Sequence, residues 1–216
     1  MEKTIQIFIY MHAALGGIAL ITGFISMVAK KGKTIHKKSG LLFFYSMMLS
    51  GIIALVVAVL PKHESPFLFA VGVFSLYFVL TGKRALHFKL EKPDLRADKW
   101  ISKIMILTGV LMILLPIVLT KRIHIVLVVF AIIGIVFSVR DLKLFKNPEQ
   151  LRKGWLKLHL GKMIGGYISA TTAFVVVNEY FPSFYGWFIP GIIGGFIIAY
   201  WMRKLKTKTI ANTLQN

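Results

Sequence analysis

Histidine is the side chain through which this chain of 216 residues could do chemistry: there are six histidines and no cysteine. The missing thiols exclude disulfides, thiolate metal sites, iron–sulfur clusters and cysteine nucleophiles. An imidazole can ligate a divalent metal or haem iron through one nitrogen while the other is held by a neighbour. No HExxH or HxxxH pair is present, so any such site must gather its ligands from different segments. His12, His36, His87 and His159 are the candidates for a cofactor. His36, His87 and His159, with Asp98 and Asp141, are the candidates for a metal. Zinc takes about four ligands at about 2.0–2.1 Å for nitrogen. Haem b would need only two axial histidines on facing helices, with Tyr45, Tyr77 and Tyr167 as pocket-lining residues. His63 and His124 stand beside Lys and Arg and read as solvated.

The elements that must position these residues follow from composition. Hydrophobic residues make up 56% of the chain, charged residues only 16%, and the mean hydropathy is +0.73. A soluble domain carries about 25% charged residues, so a soluble enzyme and a disordered chain are both excluded. A membrane-crossing helix needs about 20 mostly apolar residues. Seven stretches free of Lys, Arg, Asp and Glu meet that need: 4–29, 39–61, 65–82, 104–120, 123–139, 163–178 and 180–202. The sixth can extend back to Trp155 if Lys157 and Lys162 snorkel to the interface. The first is too long for the apolar region of a signal peptide and reads as an uncleaved span.

The formal charge is +19, and 23 of the 27 basic residues fall in the first, third and fifth loops, at the adjoining helix ends, and in the tail. Cytoplasmic loops collect Lys and Arg. The expected fold is therefore all-α: a polytopic bundle of seven transmembrane helices, N-terminus outside and C-terminus cytoplasmic. Residues 1–202 form the membrane domain and 203–216 a short basic tail. The charge then reads as topology and attraction to anionic lipid headgroups, not as nucleic-acid binding. The expected location is the cytoplasmic membrane of a bacterium. Tyr180, Phe181, Phe184, Tyr185 and Trp187 cluster at one interface, and Trp100, Trp155 and Trp201 at the other. Threaded through this topology, His36, His87 and His159 form an inner layer, and His12, His63 and His124 an outer one.

Small residues let helices approach in lipid. His12, Gly16, Ala19, Gly23 and Ser26 share one helix face, as do His159, Met163, Gly166, Ala170 and Ala173. Gly191 and Gly195 form a further small-residue pair, open to intramolecular packing or to a homo-oligomer. The last span has no mid-helix Lys, which excludes a retinal protein. His159 is alone on its helix, unlike the paired histidines of seven-span zinc hydrolases. All eight acidic residues fall outside the uncharged stretches, which counts against ion-coupled transport. A loose likeness between the segments at His12 and His159 differs in spacing and makes no repeat.

Several separated runs resemble a known family. They are His12-Ala-Ala-Leu-Gly-Gly-Ile-Ala-Leu-Ile-Thr-Gly and Lys31-Gly-Lys-Thr-Ile-His36-Lys-Lys-Ser-Gly40. Phe74-Ser-Leu-Tyr77, Thr81-Gly82 and Asp98-Lys-Trp100 join them, as does His159 leading to Gly166-Tyr-Ile-Ser-Ala-Thr-Thr-Ala-Phe and Asn178. Together they resemble the bacterial multi-pass membrane family grouped as domain of unknown function 2306. The resemblance implies a multi-pass membrane protein without an assigned activity, and carries His12, His36, Asp98 and His159 as candidate functional positions.

Three functions stay open at this level. One is an electron-transfer protein holding haem b through histidines near the cytoplasmic face. The second is a metal-dependent, zinc-using membrane enzyme. The third is a small-molecule carrier, sensor or scaffold with structural histidines.

Overall fold

The computed structural model describes the backbone of residues 2–182 and 185–214, and the side chains of these except at position 67 and beyond 205. Phe184, and the side chains of Lys206 and Lys208, lie outside the described residues. Seven α-helices and no strand occur among the described residues: α1 (Glu2–Val28), α2 (Thr34–Val57), α3 (Pro66–Arg84), α4 (Arg96–Thr120), α5 (Ile125–Leu144), α6 (Pro148–Val177) and α7 (Tyr185–Leu214). A short 3₁₀ turn, Ala85–Lys89, follows α3. All seven helices are long and apolar enough to cross a membrane, which makes this a multi-pass membrane architecture.

The helices outrun the uncharged stretches, chiefly at the Lys- and Arg-rich ends. α2 starts at Thr34 rather than 39, α4 at Arg96 rather than 104, and α6 at Pro148 rather than 163. Lys and Arg are good helix formers, so charge ends an apolar stretch without ending the helix. Helix ends are instead set by local chemistry. Ser65 caps α3 by accepting from the Leu68 amide at 3.1 Å, with Pro66 at the first helical position. Asn147 does the same for α6 through Gln150, followed by Pro148. Gly32, with φ +79°, makes the turn between α1 and α2. α7 continues as helix through the basic tail to Leu214.

Neighbours in sequence pack as antiparallel pairs, α1 on α2, α4 on α5 and α6 on α7. α3 and α6 form the centre. α3 touches α2, α4, α5 and α6, and α6 touches α1, α3, α5 and α7. Small residues allow the close approach. A Cβ on Gly82 of α3 would lie 2.9 Å from the Met163 sulfur and 3.0 Å from the Met163 amide nitrogen of α6. Gly166 and Gly23 are equally tight against Val79 and Tyr167. The seventh helix departs from expectation. Gly191 and Gly195 face open space, and Gly194 instead receives Ile168 of α6. The one-turn spacing of Gly191 and Gly195 is visible in the sequence, but which side of α7 meets α6 is not.

The ends of α1, α3, α5 and α7 and the starts of α2, α4 and α6 share one side of the bundle, here termed the basic face. Beneath it Ala85, Phe88, Phe145 and Leu151 form a buried apolar cluster that fixes the 3₁₀ turn against α5 and α6.

Candidate functional site: a buried charge cluster beneath the basic face

Lys162 occupies the middle of α6, a helix about 45 Å long by its 30 residues. Its side chain does not snorkel. The residue is 5% exposed, and its ammonium pairs with the Asp141 carboxylate of α5. Tyr77 of α3 donates to the same carboxylate oxygen at 2.6 Å, and Lys162 donates to the phenol oxygen at 3.3 Å. Three helices thus contribute one group each to a closed triangle of cation, anion and phenol. All three residues are buried.

Two further features adjoin the triangle. The hydroxyls of Ser102 (α4) and Ser138 (α5) are buried beside the Tyr77 phenol, and neither makes a hydrogen bond of good geometry. Buried hydroxyls without a partner are rare and mark a polar, adaptable spot. Nearer the basic face, Arg84 at the end of α3 grips Asp98 at the start of α4. Its Nε and Nη2 each lie 2.7 Å from one carboxylate oxygen. Asp98 is 1% exposed and lies within electrostatic range of Lys162.

Asp98 and Asp141 therefore sit inside helices and are buried, contrary to the expectation that every acid lies outside the spans. Each lies outside the uncharged stretches amid Lys and Arg, so composition alone assigns neither to a span. Both are neutralised by a cation from another helix, which is how a charge is retained away from water. This removes the argument against ion-coupled transport.

The polar residues continue along one face of α6. His159, Lys162, Ser169 and Thr172 recur at helical spacing with Gly166 between them. Ser169 bonds Ser75 of α3 at 2.8 Å. His159 donates Nδ1–H to the Gly82 carbonyl at 2.8 Å. A carbonyl can only accept, so Nδ1 carries a proton, and a neutral ring held this way has its lone pair on Nε2.

The other candidate histidines separate by environment. His12 of α1 donates Nδ1–H to the Ser50 carbonyl of α2 at 3.0 Å, and the Ser50 hydroxyl donates back to the His12 carbonyl at 3.0 Å. His36 of α2 donates Nδ1–H to the Ser26 carbonyl of α1 at 2.9 Å, and the Ser26 hydroxyl returns a bond to the His36 carbonyl at 3.3 Å. These are two copies of one clasp. In each, a glycine four residues after the histidine lets the serine close in: an added Cβ would lie 3.5 Å from the hydroxyl oxygen at Gly16 and 3.1 Å at Gly40. The motif His-x3-Gly-x9-Ser runs over His12, Gly16 and Ser26, and recurs 24 residues on over His36, Gly40 and Ser50. This repeat was present in the sequence. It is masked because most residues between its three fixed positions differ, and because each histidine pairs with the serine of the other copy.

His36 and His159 lie within electrostatic range of each other. His87 is exposed on the 3₁₀ turn and joins neither. Tyr45 faces outward at 56% exposure, and Tyr167 donates to the Leu20 carbonyl at 3.2 Å, so the three tyrosines do not share a pocket. Asp98 and Asp141 are paired with Arg84 and Lys162, and no three of the described His, Asp and Glu side chains converge on one point. The donor set His36, His87, His159, Asp98 and Asp141 is thus spread over the basic half of the bundle. Comparison with family models, curated proteins and solved structures gives no match.

Proposed function

We propose that the chain is a proton-linked membrane carrier, with the Lys162–Asp141–Tyr77 triangle as its proton-exchange element. The observation that carries this reading is a buried ion pair between the middle of α6 and the last turn of α5, joined by a phenol and with two buried serine hydroxyls beside it. Ionisable groups inside spans are costly to keep, and proton relays are a principal use of them. A proton taken up by Asp141 removes the anion that Lys162 touches. The next carboxylate within its range is Asp98, which Arg84 holds with two hydrogen bonds. Two arrangements of Lys162 follow, one facing Asp141 and one drawn toward Asp98. Such a two-state element is what a carrier needs to couple protonation to helix movement. The polar face of α6 running on through Ser169 and Thr172 supplies a track from the cluster toward the opposite side. In this reading the basic face lies in the cytoplasm, in keeping with its Lys and Arg excess.

The test is pH-difference infrared spectroscopy on proteoliposomes between pH 5 and 8. A protonated-carboxyl band that disappears in Asp141→Asn is expected. If that band is absent from the wild type, the triangle is a fixed structural clasp and the reading fails.

A second reading rests on a separate observation. The Nδ1–H groups of His12, His36 and His159 are each held by a backbone carbonyl, which orients the ring and leaves Nε2 as the ligating atom. This donor chemistry fits haem b, which His36 and His159 would hold through their free ring nitrogens. Haem would supply one-electron transfer there. The same three histidines do not gather the carboxylates a zinc site would need.

A further inference from the structure

Helices α1 and α7 flank a groove on the bundle surface and do not pack on each other. Phe24, Met27 and Val28 of α1 form one wall, and Phe196, Ile197, Tyr200 and Trp201 of α7 the other. The groove encloses about 400 Å³. Its lining is mostly apolar, with Phe24 and Phe196 farther from the basic face and Tyr200 and Trp201 nearer to it.

At that end two ammonium groups converge on one indole. Lys31 lies 4.5 Å from the centroid of Trp201, and Lys204 lies 5.2 Å from it. Lys31 also folds back on the last turn of α1, donating to the Met27, Ser26 and Ala29 carbonyls. Neither lysine forms a salt bridge among the described residues. Partial burial and the nearby Lys204 charge together push the Lys31 ammonium below its usual lysine range. Two like charges held around one ring, with no carboxylate between them, make an electrostatic deficit that an anion relieves.

We propose that this groove binds one anionic phospholipid, its acyl chain lying between the Phe24 and Phe196 walls and its phosphate meeting Lys31 and Lys204. The shape argues for a lipid over a soluble anion. A free phosphate would use only the rim, whereas a phospholipid fills the apolar length below it. An amphipathic Trp at the mouth suits the headgroup depth. The site differs from general attraction to the membrane surface in being a single groove with defined walls.

The experiment is native mass spectrometry of the full chain in detergent, titrated with phosphatidylglycerol or phosphatidylcholine. The wild type is expected to retain one phosphatidylglycerol about tenfold more than phosphatidylcholine, roughly 1.4 kcal/mol by the usual conversion. Lys31→Gln with Lys204→Gln should abolish the preference, and Lys31→Arg with Lys204→Arg should keep it. Ile197→Trp should expel the lipid with both cations intact, because it fills the groove. All other basic residues are unchanged, so a generic charge effect would survive the glutamine pair. Equal retention of the two lipids, or a preference untouched by both the glutamine pair and Ile197→Trp, overturns the proposal. So does displacement of the bound lipid by millimolar inorganic phosphate, which would identify a free anion as the ligand. Variants are compared only where size-exclusion profiles match the wild type.

Discussion

Ser50 bonds His12 in both directions across the α1–α2 hairpin, its carbonyl accepting from the ring and its hydroxyl donating to the histidine carbonyl. Ser26 and His36 repeat the arrangement 14 residues along each helix, about 21 Å away. The hairpin is therefore locked at two levels by the same device.

Removing either serine hydroxyl deletes its return bond and its contact with the ring Nδ1, and leaves the histidine–carbonyl bond in place. Interhelical hydrogen bonds in membranes average about 0.6 kcal/mol. Ser26→Ala and Ser50→Ala should each cost about that much in reversible unfolding from detergent micelles. The double variant should cost their sum within about 0.5 kcal/mol, because the two sites share no partner. A strongly unequal pair of costs would end the equivalence of the clasps.

The Lys162–Asp141 pair makes the opposite prediction about additivity. Deleting one partner of a buried pair strands the other charge, at about 3–5 kcal/mol. Asp141→Asn and Lys162→Met should each be severely destabilised. Combined, they leave no unpaired charge, and the double variant should recover most of the loss. Thermal unfolding of the three variants in one detergent is the measurement. A double variant no better than either single one would show that the pair is not the dominant interaction of either residue.

Gly82 and Gly191 should respond with opposite signs to alanine. At Gly82 the added Cβ meets both the side chain and the backbone nitrogen of Met163, so α3 and α6 must separate. Overpacking of this kind costs about 1–3 kcal/mol. At Gly191 nothing lies within reach, and alanine favours helix over glycine by up to about 1 kcal/mol. Melting temperatures of the two variants check this. Destabilisation by Gly191→Ala would mean that its open face is covered by another protein surface.

The haem reading makes a spectroscopic prediction. Protein purified from haem-supplied cells should show a Soret band that sharpens on dithionite reduction, and His159→Ala should lose it. A colourless wild type excludes the reading, and metal analysis of the same sample tests for a divalent ion independently.

The seven helices were legible because each carries an apolar stretch long enough to cross a bilayer, and the basic residues alternate with them. Lys162 was not legible in the same way. A lysine at the edge of an apolar stretch looks like an interfacial anchor unless its counter-ion is known, and Asp141 lies on another helix. One signal did exist: Lys162 follows His159 by three positions and precedes Gly166 by four, on the face that also carries Ser169. A charge on the small-residue face of a helix is turned inward, toward a partner. The packing of Gly194 in place of Gly191 and Gly195 was hidden for a simpler reason. All three are glycines, and only the rotation of α7 against Ile168 distinguishes them.

The placement of Lys162 on the sixth helix has a consequence for how the chain is made. Synthesis proceeds from the N-terminus, so the α1–α2 hairpin can close both clasps once its own residues have emerged, with nothing further required. Asp141, at the end of α5, is released while its cation is still unsynthesised. Until α6 is made, that carboxylate has no cation to pair with. Arrival of α6 supplies one: Lys162 neutralises Asp141, and the Tyr77 phenol joins α3 to the same carboxylate. The joining of α3, α5 and α6 is thereby tied to one late charge pairing, with α7 left to pack on α6 afterwards.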